Sequence, residues 1–234
     1  MISVPKHLHS SRSHCCLLIG LLLFSRAIQA QAVHPVTGRP IAPVMGSRGA
    51  DWLDRPDRQA EEKPDLAIKE LNLKSGMVIA DIGCGTGYYS IRMAKRVSPG
   101  GRVLSDDIQP EMLDRLRASA KAANVTNIET IQGSESNPHL PPDTVDLAIM
   151  VDVYHELSRP QRMLQHIREA LKPDGQLVLL EYRKEDPSVP IRPEHKMSLA
   201  DVKAEIEPEG YEFVKSVETL PWQHMIFFKR APGN

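Results

Sequence analysis

Cysteine is scarce in this sequence of 234 residues, and its placement excludes an internal disulfide and a cysteine-based metal cluster in the body of the protein. Cys15 and Cys16 lie in an apolar segment near the N-terminus, and Cys84 is the only cysteine in the remainder. One thiol cannot form an internal disulfide, so the body of the protein gains no covalent staple in an oxidising compartment. It also cannot supply a cysteine-based metal cluster.

An excess of basic residues is also lacking. After residue 32 the chain carries 26 basic and 30 acidic residues, and no long basic tract occurs. Binding of nucleic acid without sequence preference requires a positive face that displaces counterions from phosphate. The composition therefore argues against a nucleic-acid partner and favours a small-molecule one. The oligomeric state is not readable from the sequence.

No apolar run is long enough to span a bilayer, which takes about 20 residues. Residues 15–24 form a ten-residue apolar run that follows Lys6 and Arg12 and precedes Ala30-Gln31-Ala32. A positive region, a short apolar core and small residues at an A-x-A site predict a secretory signal peptide over residues 1–32. The protein is then periplasmic or secreted, with no stable membrane insertion once the leader is removed. An uncleaved anchor, or a cytoplasmic protein that starts at Met45, is the alternative.

The remainder divides into two parts. Residues 33–64 begin with a Pro- and Gly-rich arm and continue into a broken helical pattern, which predicts an N-terminal helical cap. Residues 65–234 alternate between short apolar runs and segments of helical spacing. Predicted strands cover residues 77–81, 102–105, 128–131, 145–151, 176–181, 213–220 and 225–229, and predicted helices cover 89–97, 110–124, 160–171 and 198–206.

This alternation predicts an α/β fold. Parallel strands connected by helices give a doubly wound, Rossmann-like sheet with helices on both faces. The last two strands are separated by a tight turn at Pro221-Trp222 and must be antiparallel. We therefore expect a seven-stranded, mostly parallel sheet with a C-terminal antiparallel strand pair.

A glycine-rich loop follows the first predicted strand. Gly83, Gly85 and Gly87 have the spacing G-x-G-x-G, which differs from the G-x-G-x-x-G of dinucleotide-binding folds. Asp81 precedes the first glycine, where it would repel a pyrophosphate and attract a cationic amino group. Asp107 lies 24 positions after Gly83 at the end of the second predicted strand, where a carboxylate can accept hydrogen bonds from ribose hydroxyls. The neighbouring Asp106 could take the same role.

Three motifs together resemble those of class I S-adenosylmethionine-dependent methyltransferases, within the type 11 group that includes the ubiquinone and menaquinone biosynthesis enzymes. The motifs are the loop 81–87, residues 107–113 (DIQPEML) and residues 171–175 (LKPDG). The resemblance implies S-adenosylmethionine as the cofactor. Asp81 and the loop would hold its methionine end, Asp107 its ribose, and residues 133–135 would lie against adenine. The cofactor-binding residues implied in this way are Asp81, Gly83, Cys84, Gly85, Gly87, Asp107, Ile108, Ser134, Glu135 and Asp152.

Candidate catalytic residues lie after the fourth predicted strand, in the sequence Asp152-Val153-Tyr154-His155-Glu156. His155 could act as a general base, Glu156 could orient it or bind substrate, and Tyr154 could stack on an aromatic acceptor. Alternatively, His155 and Glu156 begin a helix and Tyr154 belongs to the core. A second histidine of the zinc-protease motif is missing, and we predict no metal site. Further candidates around the site are Trp52, Arg55, Arg58, Glu181-Tyr182-Arg183 and His195-Lys196.

These observations predict an enzyme that transfers a methyl group to a small molecule by in-line displacement. Such a reaction requires alignment of the reactants and no covalent enzyme intermediate. A nicotinamide-dependent dehydrogenase is disfavoured by the glycine spacing and by Asp81. An exported, non-catalytic module that binds S-adenosylmethionine or reuses the fold is the alternative. The acceptor and its reacting atom are not readable from the sequence.

Overall fold

The structure is a computed structural model that describes residue 1 and residues 32–232. The predicted leader lies outside the described residues except for its two ends. No helix within the described part of the chain is both long and apolar enough to cross a membrane.

One mixed sheet forms the centre of the fold. Buried apolar runs form its middle strands, as expected for a sheet that is covered on both faces. The strands are β1 (Val78–Ile82), β2 (Arg102–Asp107), β3 (Ile128–Gln132), β4 (Val145–Val151), β5 (Leu171–Arg183), β6 (Lys196–Met197), β7 (Tyr211–Val217) and β8 (Gln223–Arg230).

The strand order is β3-β2-β1-β4-β5-β8-β7, and the two-residue strand β6 pairs in parallel with the end of β5. The pairs from β3 through β5 are parallel. Strand β8 is antiparallel to both β5 and β7. This confirms the predicted Rossmann-like sheet with a C-terminal antiparallel pair. The short strand β6 is an addition that the sequence did not predict.

Helices cover both faces of the sheet, as predicted. They are α1 (Arg58–Glu62), α2 (Pro64–Glu70), α3 (Tyr88–Val97), α4 (Pro110–Ala122), α5 (Pro160–Ala170) and α6 (Leu199–Ile206). Apolar residues of α5 and α6 pack on one face in the cluster that contains Leu164 and Val202. Residues of α2 and α3, such as Ile68 and Met93, pack with the opposite side chains of the sheet.

Two elements differ from the prediction, strand β2 in where it ends and the segment around Trp52 in its type of helix. Strand β2 continues to Asp107 because Asp106 and Asp107 pair with Ile131 and Gln132 of β3. The segment around Trp52 forms a 3₁₀ helix, Ser47–Asp54, and not the first turns of an α-helix. The sequence predicts strand β2 over 102–105 with Asp107 at its end, and the ladder with β3 satisfies the backbone groups of the two additional residues.

The N-terminal arm packs against the rest of the described chain. Arg39 lies beside Glu205 of α6, with Nε–Oε1 and Nη2–Oε2 distances of 3.1 and 3.0 Å. The Arg39 side chain is 6% exposed and that of Glu205 is 0% exposed. Arg39 Nη1 and the backbone N–H of Ala42 both donate to the carbonyl oxygen of His155, at 3.0 Å each. The arm is therefore held by a buried ion pair, and it fixes the main chain at His155.

Candidate active site

A cavity of about 480 Å³ lies at the carboxyl ends of the parallel strands, where ligands of open α/β sheets bind. Its walls come from the loops after β1, β2, β3 and β4, from the end of β5, and from two covering segments, residues 44–58 and 190–195. The lining includes Gly83, Gly85, Asp106, Asp107, Ile108, Ser134, Glu135, Asp152, His155, Glu156, Tyr182 and His195. Most predicted site residues therefore meet in one place.

The glycine loop forms one wall. Gly83 has a φ of +67°, and a Cβ there would lie 2.7 Å from Val153 Cγ2, so only glycine fits this left-handed position. Gly87 has a φ of +87° and is approached closely by Leu116, which makes it the point where the loop enters α3. Among the described residues, Cys84 and Gly87 do not line the cavity. Their contribution is to the shape of the loop.

Asp81 lies beneath this loop and outside the cavity lining. Its Oδ2 accepts a hydrogen bond of 2.5 Å from Ser90, whose hydroxyl in turn receives one of 2.9 Å from Ser105. Burial raises the pKa of Asp81 to about 7, although the hydrogen bond from Ser90 lowers it. Asp81 supplies negative charge under the loop in its ionised form, and a cationic group bound above the loop would favour that form.

Two adjacent carboxylates end β2. Asp107 Oδ2 accepts from the backbone N–H of Gly85 at 3.0 Å, and Oδ1 accepts from that of Gln109 at 2.9 Å. Each oxygen of an ionised carboxylate can accept a further hydrogen bond, so Asp107 is held in place and still able to bind hydroxyls. Burial, together with the nearby carboxylates of Asp107 and Asp81, raises the pKa of Asp106 to about 8.

The far side of this wall is more apolar. Ile108 lines the cavity and is 37% exposed, an arrangement that suits a flat aromatic ligand. Ser134 is hydrogen bonded to the backbone of Asn137, and Glu135 accepts from Ser158 at 2.9 Å. Both residues line the cavity, as the predicted adenine contact requires.

The N-terminal segment covers the cavity. Trp52, Leu53 and Arg58 line it, whereas Arg55 stacks on Trp52 with its guanidinium carbon 3.7 Å from the ring centroid. Arg58 Nε donates to Glu62 Oε2 at 2.7 Å within α1, and the hydroxyl of Tyr182 in β5 donates to Glu62 Oε1 at 3.0 Å, which ties the cover to the sheet.

A cluster of titratable side chains forms the opposite end of the cavity. His155 Nδ1 lies 2.6 Å from Glu181 Oε2, and its Nε2 lies 3.0 Å from His195 Nδ1. Glu156 Oε1 is 3.9 Å from His155 Nε2 and 3.6 Å from His195 Nδ1. Glu181 is therefore placed to orient His155, which leaves Glu156 the other of its two predicted roles, binding of substrate.

The charges of this cluster shift its pKa values in opposite directions. Burial by itself lowers the pKa of His155, but the charge and hydrogen bond of Glu181 outweigh it and raise the pKa. Burial and the nearby His155 lower the pKa of His195. Burial raises the pKa of Glu156 to about 7, against the lowering effect of His155.

The structure changes the interpretation of two residues beside His155, Tyr154 and Asp152. Tyr154 is fully buried, does not line the cavity, and its hydroxyl lies 3.2 Å from His34 Nε2. It cannot stack on an acceptor. Asp152 does line the cavity, but both of its carboxylate oxygens accept from Gln223 Nε2, at 3.0 and 2.8 Å.

Comparison with known proteins agrees with this geometry. A family profile described as a methyltransferase domain matches residues 79–175. A crystal structure of an S-adenosylmethionine-dependent methyltransferase from Aquifex aeolicus is 28% identical, with a TM-score of 0.76 over 80% of this chain and 100% of that one. The chain is therefore similar to class I S-adenosylmethionine-dependent methyltransferases, in residues 79–175 by sequence and over most of its length by fold.

Curated proteins that match this chain have names from the same group of enzymes. Demethylmenaquinone methyltransferases of Listeria welshimeri and Lactobacillus johnsonii are 28% and 30% identical over 123 and 115 residues. These matches cover 53% and 49% of this chain and 51% and 47% of the relatives. The chain thus spans about half the length of the curated relatives it matches. The resemblance stated from the motifs is confirmed.

Two residues of the site, Glu62 and Met45, were not predicted from the sequence, and Glu181 was named as a candidate without its contact with His155. Glu62 is fully buried between Arg55, Arg58 and the hydroxyl of Tyr182, which donates to it at 3.0 Å. Glu181 reaches His155 from β5. Met45 lines the cavity from the arm, and its carbonyl oxygen accepts from Gln109. The only signal available was the position of Glu181 at a strand end.

Proposed function

We propose that this protein catalyses transfer of a methyl group from S-adenosylmethionine to a small-molecule acceptor. The observation that carries the proposal is that one cavity joins the glycine loop and Asp107 at one end to His155, Glu156 and His195 at the other. A cofactor and an acceptor bound at these two ends would meet inside it.

The cavity has properties that fit this cofactor. Its volume of about 480 Å³ is in the range of pockets that enclose ligands of this size. Asp107 would accept hydrogen bonds from the ribose hydroxyls, and Ile108 with Ser134 and Glu135 would border the adenine. The buried carboxylate of Asp81 provides negative potential beneath the loop for the cationic methionine end. When bound, S-adenosylmethionine supplies an electrophilic methyl group on its sulfonium sulfur.

The chain's own residues would then align and activate the acceptor. Alignment of reacting atoms in a closed site supplies much of the rate of a displacement, about 7–11 kcal/mol in favourable cases. His155 would accept a proton from the acceptor at Nε2, because Glu181 holds Nδ1 and fixes the tautomer. Glu156 lies close enough to bind a polar group of the acceptor.

The acceptor is proposed to be a small molecule, as the names of the curated relatives suggest. The cavity wall contains Val44, Met45, Ile191 and Leu157, so an acceptor with an apolar part would fit. The non-catalytic module is less well supported because a binding module has no need of a histidine–carboxylate cluster that opens on the ligand cavity.

Calorimetric titration of the full-length protein with S-adenosylmethionine and S-adenosylhomocysteine tests the proposal. We expect micromolar binding that Asp107→Ala abolishes. Asp114→Ala is the matched control, since Asp114 is an exposed carboxylate on α4 that pairs only with Arg117 among the described residues. A folded protein that binds neither compound, or an Asp107→Ala variant that binds as the wild type does, would contradict the proposal.

We also propose that residues 1–32 are a signal peptide and that the mature protein is exported, on the basis of the leader sequence alone. N-terminal sequencing of the protein from fractionated cells should find a terminus near residue 33 outside the cytoplasm. A cytoplasmic protein that begins at Met45 would refute export.

A further inference from the structure

His195 lies 40 residues after His155 and its neighbour Glu156 in the chain, yet the fold brings one donor atom of each of these three residues together. His155 and Glu156 come from the 3₁₀ turn after β4, and His195 comes from the 3₁₀ turn before β6. Their donor atoms lie 3.0, 3.6 and 3.9 Å apart. Two imidazoles and one carboxylate on a common face form a recurring set of metal ligands.

The separations fit coordination of one ion. With metal–nitrogen bonds of about 2.0–2.1 Å, neighbouring ligand atoms in a tetrahedral site lie about 3.3 Å apart. The three observed distances bracket this value, so movements of a few tenths of an ångström would suffice. The side chains of His155, Glu156 and His195 are 1%, 14% and 22% exposed, which leaves the cluster shielded from bulk water.

Glu181 prepares His155 for this role. Its Oε2 accepts from His155 Nδ1 at 2.6 Å, which places the proton on Nδ1 and leaves the lone pair of Nε2 directed to the cluster. A carboxylate behind a metal-binding histidine is the usual outer partner of such ligands. Glu181 is fully buried, so the orientation of the ring is fixed before any ion binds.

The charge of the cluster also favours a cation. Glu156 and Glu181 flank His155, and within residues 32–232 the ion pairs of both carboxylates are with histidine and not with lysine or arginine. The buried carboxylate of Glu181 and the partly buried one of Glu156 have no lysine or arginine partner there, and a bound cation would compensate their charge.

We propose that His155, Glu156 and His195 bind one first-row divalent transition-metal ion at the acceptor end of the cavity, with Glu181 orienting His155. The mixed nitrogen and oxygen donors favour Zn²⁺, Fe²⁺, Co²⁺ or Ni²⁺ over Mg²⁺ and Ca²⁺, which prefer oxygen ligands alone. Three protein ligands leave at least one coordination position for a non-protein ligand. The ion would occupy Nε2 of His155, so the proposed transfer of a proton to that atom applies to the metal-free protein. The site does not depend on methyl transfer.

Direct metal binding tests this proposal. The full-length protein, prepared without a histidine tag and stripped with a chelator, is titrated with Zn²⁺ by calorimetry and with Co²⁺ by visible absorption. We expect one ion per chain, with micromolar or tighter affinity. His195→Ala should lower the affinity at least about 100-fold, and Glu181→Gln, which removes the outer carboxylate, about 10–100-fold.

His166→Ala is the matched control, because His166 is a partly exposed histidine on α5 that pairs with Glu169 outside the cluster. It should leave the affinity unchanged. Absence of a one-to-one binding event, or equal losses in the His195 and His166 variants, overturns the proposal. Thermal unfolding of each variant establishes that it is folded. Titration of the same samples with S-adenosylhomocysteine tests the proposed function separately, since the Asp107 end of the cavity contains none of the metal ligands.

Discussion

Replacement of Arg39 by methionine should destabilise the protein strongly, although the sequence predicts that Arg39 lies in an extended arm. Arg39 forms a two-point ion pair with Glu205, whose side chain has no exposed surface. Glu205 also accepts a hydrogen bond from Thr37, and its Oε2 lies 3.4 Å from His34 Nε2. All of these partners come from the arm.

The expected magnitude follows from the burial of the pair. Removal of one partner leaves an uncompensated buried charge, which costs about 3–5 kcal/mol. Replacement of both partners by apolar residues of similar volume is often neutral. We therefore expect Arg39→Met to lower the free energy of unfolding by about 3–5 kcal/mol, and Arg39→Met with Glu205→Met to recover most of that loss.

Urea unfolding of the wild type, both single variants and the double variant measures this directly, with circular dichroism and fluorescence as independent probes. Arg39→Lys is an informative control, because lysine keeps the charge but cannot make the two-point contact. A loss below about 1 kcal/mol in Arg39→Met, the scale of an exposed pair, would refute the reasoning. So would a double variant that is less stable than either single variant.

Three further predictions concern the cavity and the glycine loop beside it. Gly87→Ala should lower the free energy of unfolding by about 2–4 kcal/mol in urea, since alanine at a φ of +87° is strained and its Cβ would collide with Leu116. Burial raises the pKa of Asp106 to about 8, so the folded state binds more protons than the unfolded state between pH about 4 and about 8, and stability should fall as the pH rises through that window. Asp106→Asn should flatten this dependence in unfolding experiments at pH 5 and pH 8, and an unchanged slope would contradict it. Trp52→Ala should weaken S-adenosylhomocysteine binding in calorimetry by about 0.5–1.5 kcal/mol, because Trp52 covers the cavity, whereas equal affinity would show that the cover makes no contact.

Most of the fold was predictable because its signals are local. Strands β1 and β4 are short apolar runs, and α4 begins at Pro110 and is followed by Asn124 at a φ of +52°. Each of these features depends on neighbouring residues alone. Strand β6 was not predictable, because two residues acquire strand structure only through their pairing with the end of β5. The same is true of the arm, whose position depends on a glutamate 166 residues away in the chain.

The two ends of the cavity differ in how far the sequence could predict them. The glycine loop and Asp107 are close in sequence, and a parallel sheet brings adjacent strand ends together by its topology, so their meeting could be predicted. At the other end, Glu181 and His195 reach His155 from separate elements, and Arg39 holds the carbonyl oxygen of His155 from the arm. A histidine takes its chemical role from the groups that contact its two nitrogens. The sequence therefore identified His155 as a candidate, but only the three-dimensional arrangement shows that one nitrogen is fixed by Glu181 while the other faces a second histidine and a second carboxylate.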